Sequence, residues 1–148
     1  MSKTEVTSKM NIKRSAKEVF EAIVDPNKIG NFWFTSSSER WEQGKQITLT
    51  YAEYEAVGTI NVQEIKQDEK IVYTWGQEQG EVTVVTITFQ KLEDNSTTIE
   101  VTESGWKAED KELFNKMLGQ KEGWVYTLSC LKAYLEHGVS DLRASLVH

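Results

Sequence analysis

The stretch "TTIEVTE", Thr97 to Glu103, ends on the residue with the most chemical content in the chain. Strand alternation puts Glu103 on the same face as Ile99 and Val101, the side that a strand turns toward a core. A carboxylate there is either a solvated strand end, because glutamate is rarely buried unpaired, or a polar handle for a ligand. Aromatic residues accompany it. Tyr51, Tyr73, Trp75, Phe89 and Trp124 are candidates for the wall of a binding cavity, which is typically apolar and aromatic with a few placed polar groups. Each of them also reads as plain core. Five tryptophans in one small domain favour a cavity, since buried indole and phenol groups need hydrogen-bond partners. Glu103 with Tyr51 or Tyr73 is also the one acid–base arrangement the composition offers.

Other chemistries find less support. The two histidines, His137 and His148, both fall at the carboxyl-terminal end of the sequence. With a single cysteine, Cys130, they do not make a zinc set, and the body of the sequence lacks the histidine that a nucleophile–base–orienter set requires. A glycine-rich phosphate loop is absent from the sequence. Cys130 has no basic cluster around it to lower its pKa and reads as a half-buried structural thiol. The expectation is a protein without catalysis, metal or cofactor.

These residues must be positioned by ordinary elements. "TEVTSKMNIK" alternates as a strand with Val6, Ser8, Met10 and Ile12 on one face. "SAKEVFEAIV" is a short helix with a capping-box pair, Ser15 and Glu18, and an apolar face of Val19, Phe20 and Ile23. "DPNKIGNFWF" has the signals of a second helix: Asp25 as N-cap, Pro26 at the first position, and Ile29, Phe32 and Trp33 on its buried side. A series of strands follows. "KQITLTY" sets Ile47, Leu49 and Tyr51 together, and "AVGTINVQEI" comes after a turn near Glu53 to Glu55. "KIVYTWG" aligns Ile71, Tyr73 and Trp75; "EVTVVTITFQKL" aligns Val85, Ile87 and Phe89. Turn signals in "KQDEK", "GQEQGE" and "LEDNS" separate them, and connections this short imply antiparallel neighbours.

The last element is a long helix. Leu113, Phe114, Met117 and Leu118 fit one face of its first part. Trp124, Leu128, Leu131 and Leu135 continue as an apolar stripe, and Gly138 ends it. Gly123 lies inside this helix, where glycine costs about 0.5–1 kcal/mol against alanine. Either a neighbouring element packs close at that point or the missing side chain leaves room for a ligand. Gly119 reads as a kink or restart of the helix. The order of elements is α+β. A long helix on a strongly curved sheet covers it incompletely, so a cavity between helix and sheet is expected.

The 148 residues suit one domain, 1–148. A net charge of −6 argues against nucleic acid or an anionic membrane surface as partner. The opening Met1 to Ile12 lacks the apolar run of a signal peptide, and no apolar stretch approaches the roughly 20 residues of a bilayer span. A cytoplasmic protein is expected.

Four motifs in order, "SAKEVFEAIVDPNKIGNFW", "DEKIVYTWG", "TTIEVTESGW" and "EGWVYTLSCLKAYLEHG", resemble the bacterial START-like proteins homologous to the activator of Hsp-ninety ATPase, the AHSA group of the SRPBCC superfamily. The resemblance runs from about Val6 to Gly138. It implies the helix-grip fold: a bent antiparallel sheet wrapped around a long C-terminal helix, with two short helices after the first strand. Relatives in the superfamily hold lipids, sterols, polyketides and other apolar molecules in the pocket between them. Glu103 stands where relatives often have histidine or another polar residue, and Trp106 follows Gly105 where an aromatic is usual. The eukaryotic activator carries a further amino-terminal domain that these 148 residues do not include. The expected function is non-catalytic binding of an apolar or aromatic small molecule by Tyr51, Tyr73, Trp75, Phe89, Glu103 and Trp124. A chaperone-associated protein-interaction module is the alternative, and an enzyme acting on a bound apolar substrate is a third reading. A cavity above roughly 300 Å³ favours a ligand; a filled core with an exposed apolar patch favours a protein partner.

Overall fold

A computed structural model describes residues 4–76 and 82–147. The predicted turn "GQEQGE" therefore lies, beyond Gly76, outside the described residues, as does His148. The strands are β1 (Glu5–Ile12), β2 (Ser36–Ser37), β3 (Gln46–Tyr51), β4 (Ala56–Lys66), β5 (Lys70–Gly76), β6 (Val82–Lys91) and β7 (Thr97–Ser104). They form one antiparallel sheet in the order β1-β7-β6-β5-β4-β3-β2. Consecutive strands from β2 to β7 are neighbours, and β1 pairs with the last of them. A bulge between Val62 and Glu64 shifts the β4–β5 register and adds to the twist and bend of the sheet.

The buried faces of these strands follow period two. Thr97, Ile99, Val101 and Glu103 of β7 are buried while their alternates are less so. The row Val62, Tyr73, Val85, Glu103 and Val6 crosses β4, β5, β6, β7 and β1 in direct register. Five strands thus converge on the position of Glu103.

Helix α1 (Ala16–Val24) begins at Ser15, whose Oγ accepts from the Glu18 N–H at 3.2 Å. It buries Val19, Phe20, Ile23 and Val24. Phe20 meets Phe89 of β6 edge to face, with ring centroids 5.6 Å apart. The second helix expected from Asp25 and Pro26 does not form. One three-residue 3-10 turn, Ile29–Asn31, stands in its place. Asp25 instead caps the end of α1 and accepts from the Asn27 N–H at 2.8 Å. The chain must turn back at once: a Cβ on Gly30 would lie 2.8 Å from the Thr35 carbonyl oxygen. The helical spacing of Ile29, Phe32 and Trp33 was real, since all three are buried, but a single turn suffices to seat them.

Helix α2 (Leu113–His137) lies along β1. Lys132 Nζ donates to the Asn11 carbonyl at 2.7 Å, and Lys121 Nζ donates to that of Thr7. Trp124, Leu128, Cys130 and Leu131 are its buried residues. Gly138 takes the left-handed conformation, φ 70°, and closes the helix by donating to the Tyr134 carbonyl at 2.9 Å. The two halves of α2 differ. Phe114 is 74% exposed and Leu118 is also exposed, so the apolar face predicted for the first part is not core. That half stays outside the core, and the cavity lies farther along α2, beside Gln120 to Thr127.

Candidate functional site

The cavity lies between α2 and the concave face of β3 to β7, with a volume of about 240 Å³. Tyr51, Tyr73, Trp75, Glu103 and Trp124 all line it, as the sequence led us to expect. Phe89 does not. It shares the face of Tyr73 and Val85, but it sits near the far end of β6, opposite Ile99, and packs on Phe20 beneath α1. Alternation fixes the face of a strand and not the end at which the cavity opens.

Glu103 is the polar centre. It is 1% exposed, so it is no solvated strand end. Three donors converge on its carboxylate: Thr83 Oγ1 at 2.6 Å to Oε2, and Gln120 Nε2 and Trp124 Nε1, each at 2.8 Å, to Oε1. β6 supplies the first and α2 the other two. Gln120 and Trp124 are four residues apart and so face the same way on the helix. Among the described residues no cation pairs with Glu103. The network ties the helix to the sheet through one carboxylate.

Tyr73 stands two strands away in the same row. It is 3% exposed, and its hydroxyl has no hydrogen-bond partner among the described residues. Burial, with the charge of Glu103 adding to it, holds the phenol well above its ordinary pKa. Tyr73 is therefore a neutral donor at any physiological pH.

Trp75 rests on the backbone of β4. A Cβ on Gly58 would meet its ring at 2.4 Å, so the glycine creates the seat for the indole. At Gly123 the opposite holds: a Cβ there would meet nothing within 4 Å, and the residue lines the cavity. Of the two readings of Gly123, close packing is excluded.

The sequence reading missed Trp33, Phe34 and Gln120, and it missed the segment after α2. Trp33 stacks obliquely on Trp124 with centroids 5.3 Å apart, and Phe34 packs against Trp75 at 5.9 Å. A polar residue one turn ahead of Trp124 was a signal available for Gln120. Arg143 had none. It is buried, donates to the Trp33 carbonyl at 2.6 Å and to Glu53 at 2.7 Å, and lies over the Tyr51 ring at 4.9 Å. Tyr51 returns a bond to the Arg143 carbonyl at 2.8 Å. Leu146, three residues on, reaches the cavity wall.

His137 is exposed at the end of α2, apart from the cavity lining. Cys130 is fully rather than half buried, and burial raises its thiol pKa, as expected of an unreactive thiol. Among the described residues no helix is long and apolar enough to cross a membrane.

A bent antiparallel sheet holding a long C-terminal helix over an aromatic cavity defines a helix-grip domain. The family model for activator of Hsp90 ATPase homolog 1-like proteins matches residues 13–136, and the chain belongs to that family. Among solved structures, SSP2350 from Staphylococcus saprophyticus is 48% identical with a TM-score of 0.79, covering 92% of this chain and 94% of that one. The Aha1 dimer from Colwellia psychrerythraea shares the fold at 18% identity and a TM-score of 0.79, covering 90% and 97%. MLL2253 from Mesorhizobium loti does so at 18% and 0.77, covering 89% and 96%. No curated protein matches the chain.

Proposed function

We propose that this protein binds a small aromatic molecule in the cavity between α2 and the sheet, and that it does so without chemistry. The observation that carries the reading is Glu103: a buried carboxylate beside open space. A core built only for stability gains little from such a group, because desolvating it costs several kcal/mol before any return. Gly123 supports the same reading, since nothing packs where its side chain is missing.

The volume sets the size class. A cavity of roughly 150 Å³ holds benzene, so about 240 Å³ suits a fused two-ring compound. It falls below the roughly 300 Å³ set above as favouring a ligand, so the volume alone does not separate ligand binding from a protein partner, and Glu103 and Gly123 carry the reading. Sterols and long acyl chains, ligand classes of the wider superfamily, exceed that volume. The test is a fluorescence titration of the intact protein with two-ring aromatics, neutral and cationic, because Trp33, Trp75 and Trp124 all line the site. A saturable change in indole emission is expected. A flat response across the panel would remove the reading.

A second reading rests on a different face. Phe114, Leu118 and Val125 are exposed on the outer side of α2, beside a groove that Leu146 also borders. Such a patch suits a protein partner, in keeping with the chaperone link in the family's description. If this reading holds, substituting serine for Leu118 weakens partner capture and leaves the cavity's ligand affinity unchanged.

A further inference from the structure

We infer that the ligand is an organic cation, an aromatic or alkyl amine whose ammonium group docks between Glu103 and the indole faces. The inference rests on the cavity reading above and names its ligand class.

Three observations converge. Gln120 Nε2 and Trp124 Nε1 can only donate, and both donate to Oε1 of Glu103; the single proton of the Thr83 hydroxyl goes to Oε2, at 2.6 Å the length of a charge-assisted bond, rather than to the Trp75 carbonyl at 3.3 Å. Both oxygens act as acceptors, the pattern of an ionised carboxylate. A carboxylate offers about four acceptor sites, so one direction remains open. The anion has no cation beside it among the described residues, and the one buried arginine, Arg143, is already held by both oxygens of Glu53. No described residue supplies the compensating positive charge, and a bound ammonium group would.

The walls suit the same group. Trp33, Phe34, Tyr51, Trp75 and Trp124 surround the cavity, and aromatic faces attract ammonium groups, more strongly where water is excluded. Tyr73, a buried residue, adds a hydroxyl on the same wall that has no hydrogen-bond partner among the described residues. Its oxygen can accept from a second ammonium proton. A neutral hydrocarbon would leave the open acceptor direction of Glu103 and the Tyr73 hydroxyl without a partner, and a carboxylate ligand would meet a like charge. The net charge of −6 draws cations toward the protein and repels anions.

The test compares two probes of one shape. Calorimetry of the full chain at neutral pH is run with naphthylethylamine, which is protonated, and with naphthylethanol, which is neutral. The amine is expected to bind at least tenfold more tightly. In Glu103→Gln this preference should vanish through loss of amine affinity alone. Equal binding of the two probes to the unaltered protein would overturn the inference and leave the cavity reading intact. A preference that survives in Glu103→Gln would overturn it as well, because the charge selection would then lie elsewhere. Binding of neither probe would overturn both. Should the Gln variant fail to fold, the two probes on the unaltered protein still decide.

Discussion

Two glycines show how single residues shape the cavity, and they do so for opposite reasons. At Gly58 a methyl group would strike the Trp75 ring at 2.4 Å. The ring is rigid and seated against a strand, so Gly58→Ala should lose about 1–3 kcal/mol, as overpacking does. It should also push Trp75 into the cavity and weaken ligand binding. Urea unfolding and a ligand titration check the two effects; a variant as stable as the parent would show that the indole moves aside freely. At Gly123 a methyl group meets nothing within 4 Å. Gly123→Ala should therefore stabilise the protein by about 0.5–1 kcal/mol, the helix-interior penalty of glycine. The larger Gly123→Leu should fill the cavity and abolish ligand binding without unfolding the chain. Retained affinity in the Leu variant would place the ligand elsewhere. Gly123 was legible as an anomaly in the sequence because a strong apolar stripe surrounded it. Gly58 was not, since a glycine within a strand does not reveal which ring lies above it.

The elements divide by how local their signals are. Helix α1 and strand β7 follow directly from capping and alternation, and Glu103 could be placed on the inner face for that reason. The failed second helix had a sound N-cap and a well-placed proline, but those local preferences amount to about 1 kcal/mol. The close approach of Gly30 to Thr35 overrides them. Helix α2 was legible in extent and only half legible in burial. Its apolar residues continue from Leu113 to Leu135, yet only those from Trp124 onward are buried in the core or packed against it. A periodic pattern shows which face is apolar, and not how much of that face the rest of the fold covers. Leu131→Ala, at a fully buried position, should cost about 2–5 kcal/mol. Phe114→Ala, at an exposed one, should stay within about 0.5 kcal/mol of the parent. Comparable losses at both sites would mean that the amino-terminal half of α2 is packed after all.

At the scale of the whole molecule, the segment after Gly138 joins parts of the fold that are otherwise far apart in sequence. Tyr126 of α2 donates to the Leu142 carbonyl, Tyr51 of β3 to that of Arg143, and Arg143 spans Trp33, Thr35 and Glu53. Leu146 then reaches the cavity wall. The segment is a strap that borders the cavity at Leu146, held by the Arg143–Glu53 ion pair and by hydrogen bonds to Trp33, Tyr51 and Tyr126, and its role is not readable from sequence because all of these anchors but Tyr126 lie 90 to 110 positions upstream. Glu53 makes the clamp sensitive to acid. Hydrogen bonds from the Arg143 guanidinium, with help from its own backbone and Thr35, hold its carboxyl down to about 2 against an ordinary 4.5. A depressed carboxylate stabilises the folded form fully above its unfolded pKa, and that contribution fades as the pH falls toward the folded value. The strap should thus loosen between about pH 4.5 and 2, and Glu53→Gln should loosen it already at neutral pH. Amide hydrogen exchange reads this directly. In the Gln variant the amides of Leu142 to Leu146 should exchange faster while those of Leu128 and Leu131 keep their protection, because the core does not pass through the clamp. Ligand association and dissociation should both accelerate, since the same strap borders the cavity. Unchanged exchange in the strap would show that the tyrosine contacts alone hold it; a loss of protection spread over α2 would show that strap and core unfold as one unit.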